Sequence, residues 1–212
     1  MHTTINPKLS ARIAMLICVL SALQLYSPAN AQTAATLVVP GKSIGRIALG
    51  MTGAQVRKLR GKPTRRVKLS STLLSEQWGG GYDKESQLNL DPDLDVIYKG
   101  GRVVQIETTQ SAFRTRSGLR AGSSLGEVVR RVRPLIHSLR DAPENLVGHE
   151  FDGVKMGLAF EMSGPNSGVL YREDEANSVI VHRPGVPTIP NKGSQWISSS
   201  SVIVFHDEEA GE

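Results

Sequence analysis

Apolar and polar residues alternate along this chain with two periods, and each period recurs. Leu125, Val128, Val129 and Val132 fall at i, i+3, i+4 and i+7, the spacing that lines one face of a helix. A thinner stripe of Val56 and Leu59, with Met51 before it, predicts an earlier helix from about Gly53 to Arg60. Gly61-Lys62-Pro63 stops it. Period-two stretches follow each helix. Leu94, Val96 and Tyr98 alternate with Asp95, Ile97 and Lys99. Gly100-Gly101 then reads as a tight hairpin turn, with Arg102 to Thr109 as the return strand. In the second half Met156, Leu158, Phe160 and Met162 alternate with Lys155, Gly157, Ala159 and Glu161, and Asn177 to His182 is a further strand ending at Pro184-Gly185. Thr64 to Leu69 and Leu73 to Gly79 are strand candidates in the first half.

Each helix start has its own punctuation. Thr52-Gly53-Ala54-Gln55 and Ser124-Leu125-Gly126-Glu127 both fit a capping box, in which the hydroxyl accepts from the N–H three residues on and the Gln or Glu reaches back to the cap. Gly50 and Gly122 precede the two caps by two residues, so glycine, cap and valine (Val56, Val128) recur at one offset. Two boxes in register, each followed by strands, read as an internal repeat. The expected fold class is therefore α+β: two tandem repeats, each a short capped helix layer packed on an antiparallel sheet. The first repeat covers 43–110 and the second 111–185, after an extended segment at 32–42. Residues 186–212 read as a Pro-rich linker (Pro184, Pro187 and Pro190 lie three apart), a short strand at Ser201 to Phe205, and an acidic tail.

The first 31 residues belong to a different category. Lys8 and Arg12 precede an apolar run from Ile13 to Leu25, and Ala29-Asn30-Ala31 is a small-x-small cleavage site, so 1–31 reads as a secretory signal peptide cleaved after Ala31. The run is too short and interrupted for a membrane span. Cys18, the single cysteine, lies inside it, so the expected mature chain has no disulfide and no lipid anchor. The expected location is the periplasm or the extracellular medium.

With Lys8 and Arg12 removed, the formal charge falls from +5 to +3, concentrated in the first half. Arg57, Lys58, Arg60, Lys62, Arg65, Arg66 and Lys68 place seven basic residues within twelve positions, with no acid among them. Such a run attracts polyanions. Sparse aromatic interleaving and the export signal turn the expectation from nucleic acid toward anionic envelope polymers or acidic protein surfaces.

GRIALGMTGAQVRKLRGKP resembles the helix-start motif of SmpA/OmlA-type (BamE-like) small envelope proteins. VIYKGGRVVQIE is similar to the hairpin that follows in such units, and FRTRSGLRAGSSLGEV is similar to the motif opening a second copy. The tandem arrangement resembles that of beta-lactamase inhibitory protein. Over residues 43–183 the resemblance implies an exported, non-catalytic protein acting through protein–protein contacts. The lipobox cysteine of SmpA/OmlA lipoproteins is missing, and no contact residue carries over.

Familiar catalytic patterns are not met. No Gly-x-Ser-x-Gly elbow occurs. Gly41-Lys42-Ser43 lacks the upstream glycine of a P-loop, where Thr36 stands. Asp91, Asp93 and Asp95 begin like a calcium loop, but Val96 and Arg102 occupy the positions that need glycine and glutamate, which favours a turn. His137, His149, His182 and His206 show no zinc spacing, and His149-Glu150 with Asp152 reads as a polar loop cluster. Glu144, Glu150 and Asp152 could supply an acid/base pair. No cofactor, metal or catalytic residue is assigned. The expected function is that of an exported non-catalytic binding or scaffold protein of the bacterial cell envelope, acting on a protein or polyanion partner. Two alternatives stand beside it: a secreted enzyme inhibitor presenting Gly79-Gly80-Gly81-Tyr82 or Gly164-Pro165-Asn166, and an envelope hydrolase with an unrecognised site.

Overall fold

Strand pairing dominates the architecture. A computed structural model describes residues 35–83, 88–141, 147–164, 170–190 and 196–200. In chain order the elements are β1 (Val38–Val39), β2 (Ser43–Ile44), β3 (Ile47–Ala48), α1 (Gly53–Arg60), β4 (Arg65–Lys68), β5 (Leu73–Trp78), β6 (Gly81–Asp83), β7 (Leu88–Leu90), β8 (Leu94–Lys99), β9 (Arg102–Thr108), α2 (Leu125–Arg131), β10 (Ile136–Asp141), β11 (Val147–Gly153), β12 (Leu158–Gly164), β13 (Ser178–His182) and β14 (Trp196–Ser200). Nine strands form one sheet in the order β14-β10-β11-β12-β13-β9-β8-β5-β4, every neighbour antiparallel. β1-β2-β3 form a small second sheet, and β6 pairs with β7.

This corrects the expected fold class. The chain is mostly β, with two short helices among the described residues beside a continuous sheet, and it is not two tandem helix-on-sheet repeats. The reason lies in β13. Val179 pairs with Thr108, Ile180 with Glu107 and Val181 with Ile106, so strands from the two halves join at the middle of one sheet. Alternation in sequence shows that a strand has a buried face. It does not show which strand lies beside it.

The local expectations fared differently from the global one. Thr52 makes the full capping box: its Oγ1 accepts from Gln55 N at 3.3 Å, and Gln55 Oε1 accepts from Thr52 N at 2.8 Å. Ser124 makes half of one, accepting from Glu127 N at 3.3 Å, because the Glu127 carboxylate turns instead to Arg131 Nη2 at 3.1 Å. Gly100 and Gly101 have φ of 57° and 76°, the left-handed pair that a tight hairpin requires, and they join β8 to β9. Thr52→Ala is expected to cost about 1 kcal/mol in urea unfolding. Ser124→Ala should cost less, since Glu127 keeps its partner.

Other expectations are corrected in detail. Met156 lies in the β11–β12 turn, and β12 begins at Leu158. His149, Glu150 and Asp152, expected in a loop, lie within β11; the intervening Phe151 and the apolar partners on β12 hold them in a strand. Gly81 and Tyr82 begin the short strand β6 rather than forming a free loop. Residues 186–190, expected as part of the linker, are pinned to the sheet through Thr188 and Ile189, as described below. β14 extends the sheet at Trp196–Ser200. The proposed signal peptide, Glu144, Pro165-Asn166, the Ser201 to Phe205 strand and His206 lie outside the described residues.

The core occupies one side of the sheet. Val96, Ile106, Val181 and Leu158 are successive cross-strand partners, hence on one face, and all are at most 1% exposed. Val56 of α1, Leu125 and Val128 of α2, and Ile44 and Ile47 of the small sheet join the same buried cluster. Burial of this kind contributes about 25 cal/mol per Å² of apolar surface. The neighbouring residues along each strand face the other way. Asp152, Ala159, Ile180, Glu107, Asp95, Gln77 and Arg65 form a row of cross-strand partners on the opposite face, which is rich in polar and acidic groups.

Candidate functional site

β4 and β5 form a hairpin whose turn is tied by Ser70 Oγ, which accepts from Thr72 N at 3.2 Å and Leu73 N at 3.1 Å. Its register sets Arg66 opposite Glu76 and Lys68 opposite Leu74. Glu76 therefore shares the core-side face with Val96, its partner on β8, while Ser75 and Gln77 face away. A carboxylate at an apolar position must find donors. Arg57 of α1 supplies Nη1 at 2.6 Å and Arg66 supplies Nε at 3.0 Å, both to Glu76 Oε1. The carboxylate is fully buried, whereas the two arginine side chains are 42% and 60% exposed.

The second oxygen, Glu76 Oε2, and the Tyr98 hydroxyl are both buried without a well-formed hydrogen bond among the described residues, and the phenol lies beside the same carboxylate. Tyr98 pairs with Leu74 and is 3% exposed. Burial, followed by the nearby Glu76 carboxylate, pushes the Tyr98 phenol above its usual range, with Arg57 and Arg66 opposing. Beside these groups opens a cavity of about 280 Å³, lined by Arg57, Arg66, Thr72, Leu74, Glu76 and Tyr98, with Gly53 and Gly101 at its edge.

The seven basic residues are thus divided. Arg57 and Arg66 converge on Glu76. Lys58, Arg60 and Lys62 are exposed around the end of α1, where cations also complement the helix dipole. Lys68 is exposed on β4, the edge strand. Arg65 faces the other side, in the row containing Gln77 and Asp95. None of Lys58, Arg60, Lys62, Arg65 or Lys68 makes an ion pair among the described residues. The basic run does not reveal Glu76 and Tyr98. Their signal is the alternation Leu74-Glu76-Trp78, which puts an acid in the buried phase of a strand.

The acidic face has its own polar network. Asp95 accepts from Ser75 Oγ at 2.6 Å and Gln77 Nε2 at 2.9 Å. Burial raises its pKa to about 6 despite these donors, and Glu107 adds to the rise. Asp152 bonds His182 Nε2 at 2.9 Å and accepts from Thr188 N at 3.3 Å, while the Thr188 hydroxyl donates to Glu150. Ile189 exchanges both backbone bonds with the Gln105 amide, at 2.7 and 3.1 Å. Together they strap residues 183–190 across the sheet. Burial lowers His182, but the Asp152 hydrogen bond and charge, with acceptors at Val186 and Arg183, leave it raised overall. On the core side His137 stacks on His149 at 5.2 Å and on Phe151 at 4.7 Å, with 3.0 Å between His137 Nε2 and His149 Nδ1. Burial, then the neighbouring His137, lowers His149 to about 4. Asp91, Asp93 and Asp95 do not gather, and no group of three or more His, Cys, Asp or Glu is placed to share a metal among the described residues. No helix among the described residues is long and apolar enough to cross a membrane.

No protein-family model matches the chain, and no curated protein matches it. Among solved structures it is similar to the uncharacterised protein YfeY of Escherichia coli, with a TM-score of 0.48 and 11% identity over 68% of this chain and 99% of that one. It is also similar to a cysteine-rich secretory protein of Staphylococcus aureus, with a TM-score of 0.39 and 10% identity over 70% of this chain. The chain spans about half of the staphylococcal protein, 49%.

Proposed function

We propose that this protein is an exported, non-catalytic binding module of the bacterial cell envelope, and that it holds anionic envelope polymer along the basic strip formed by α1, the 61–64 turn and β4. One observation carries this reading: Lys58, Arg60, Lys62 and Lys68 are exposed and lack an ion-pair partner among the described residues, Arg65 adds an exposed cation on the other face of the edge strand, and Arg57 and Arg66 flank an open cavity. Cations arranged along an edge suit a repeating polyanion, whose binding releases counterions and weakens with salt. The signal-like N-terminus supports export, and the similarity of residues 45–63 to SmpA/OmlA helix starts supports action through contacts.

The test is binding of polygalacturonate and of polyphosphate to the purified protein at 25, 100 and 300 mM salt. With Lys58, Arg60, Lys62, Arg65 and Lys68 changed to Gln, affinity is expected to fall at least tenfold at 25 mM salt, and the salt dependence to flatten. Unchanged affinity in that variant would reduce the strip to a solvated surface.

A further inference from the structure

An acidic segment follows β14. Residues 201–212 carry Asp207, Glu208, Glu209 and Glu212, with no lysine or arginine. They lie outside the described residues, but the point from which they start is set by strand pairing. β14 runs antiparallel to β10, with Trp196 opposite Arg140 and Ser200 opposite His137. The chain therefore leaves Ser200 at the beginning of β10, the end of the strand that residues 132–135 join to α2.

Arginine dominates that end of the sheet. Residues 114–133 hold six arginines, one acid and no lysine. α2 and the 171–175 turn enclose a groove of about 670 Å³, whose lining includes Arg130, Arg133, Arg172, Glu127 and Glu173. Backbone bonds hold the turn against the helix, from Leu125 N to the Asp174 carbonyl at 2.8 Å and from Gly126 N to the Arg172 carbonyl at 2.9 Å. The acids of this surface do not cancel its cations. Glu127 Oε1 accepts from Arg131 at 3.1 Å and stands 4.0 Å from Arg130, which is 67% exposed. Arg133 donates Nε to the Val129 carbonyl at 3.0 Å, and its two Nη groups have no partner among the described residues. Arg131 Nη1 donates to the Ser117 carbonyl at 2.7 Å, which brings the exposed Arg116 alongside. With Arg172, Glu173, Asp174 and Glu175 of the turn added, seven arginines and four acids leave a net charge of +3.

Chain length decides what can reach this groove. Seven residues from Ser200 to Asp207 span about 23 Å when extended, at about 3.3 Å each. Arg133 stands four residues before His137, hence within about 14 Å of it, and Ser200 is about 5 Å beyond. The groove is therefore within reach of the first acid. The α1–β4 strip lies at the opposite edge, eight strand spacings or about 38 Å along the sheet. Charge and geometry match as well, since guanidinium forks take carboxylates through paired N–H donors.

We propose that residues 207–212 seat in the groove between α2 and the 171–175 turn of their own chain, with carboxylates on Arg130 and Arg133, as an internal occupant that closes this surface to outside anions. The seat is independent of the reading of the α1–β4 strip.

The experiment places a nitroxide label on Ala210→Cys in the full chain, with Cys18→Ser removing the native thiol. Paramagnetic broadening of the backbone amide NMR signals is then read at 25 and 300 mM salt. Signals of residues 116–118, 127–133 and 172–174 are expected to lose at least half of their intensity at 25 mM and to recover at 300 mM. A neutral tail (Asp207→Asn, Glu208→Gln, Glu209→Gln, Glu212→Gln) should broaden them at least twofold less, and so should Arg130→Gln combined with Arg133→Gln. The neutral tail changes no described residue, so it separates docking from mere tethering to β14. Without the label, polyphosphate should shift the 127–133 amides at least twofold more in the neutral-tail variant than in the parent. Equal broadening by acidic and neutral tails would overturn the proposal, as would equal polyphosphate shifts, which would mean an open groove. Broadening centred on residues 57–68 would seat the tail on the strip instead. Equal broadening of an untagged chain by a tagged one would seat it on a second copy, and either result rejects the groove as its place.

Discussion

Gly157→Ala is expected to destabilise the protein by about 2–5 kcal/mol, combining about 1–2 for a left-handed non-glycine residue with about 1–3 for overpacking. Gly157 sits in the β11–β12 turn at φ 68°, and the methyl would meet backbone on several sides: the His182 carbonyl oxygen, Gly41 Cα at 2.8 Å and Pro184 N at 3.1 Å. None of these is the end of a flexible side chain. The Gly157 carbonyl also accepts from Gly41 N at 3.0 Å and His182 N at 3.2 Å, tying the turn after β1 to the end of β13. Gly185→Ala is the control. Gly185 has φ 79° with open space around it, so only the conformational part applies, about 1–2 kcal/mol. Urea unfolding of both variants decides the matter. Equal costs would mean that the three-way contact at Gly157 contributes nothing.

Asp95→Asn is expected to act in the opposite direction, raising stability at pH 7.5 by about 1–3 kcal/mol. Asp95 keeps its proton more tightly when folded, with a pKa of about 6 against 3.8 for the ordinary side chain. Its ionisation therefore opposes folding. The penalty is absent below about pH 4, grows between pH 4 and 6, and is complete above, where the difference corresponds to about 3 kcal/mol. Asn keeps one acceptor oxygen, so one of the two hydrogen bonds from Ser75 and Gln77 survives directly. His149 runs the other way: with its pKa lowered to about 4, it favours the fold fully above pH 6.5 and loses that contribution as pH falls toward 4. In the parent the two trends oppose each other between pH 4 and 6.5. Asp95→Asn should expose the His149 branch as a steep acid decline. A variant that is less stable than the parent at every pH would show that the Ser75 and Gln77 bonds outweigh the burial penalty.

Local features were legible in the sequence to different depths. Thr52 with Gln55, the Gly100-Gly101 turn, and the strands at 65–68 and 73–78 follow from chemistry confined to a few residues, and they stand as expected. Ser124 and Glu127 have the same letters but a different outcome, because Arg131 offers Glu127 a competing partner one turn away. The sheet order was not legible. Leu158 to Met162 would alternate in the same way in a sheet of its own or in one shared with β9. The cavity was half legible: the run Arg57 to Lys68 contains two of the residues that line it, yet only the β4–β5 register selects Arg66 over Arg65 and brings it to Glu76. The polar face escaped notice because its acids are scattered in sequence and assembled by pairing across strands.

The join between β9 and β13 also dictates an order of events. Ser178 and Glu107, linked across it at 2.7 Å, stand 71 residues apart in the chain. A contact of such separation forms late and slowly. Until residue 178 has arrived, whatever handles the chain from its N-terminal end meets a sheet with an open flank at β9, unable to finish itself and still capable of being drawn out straight.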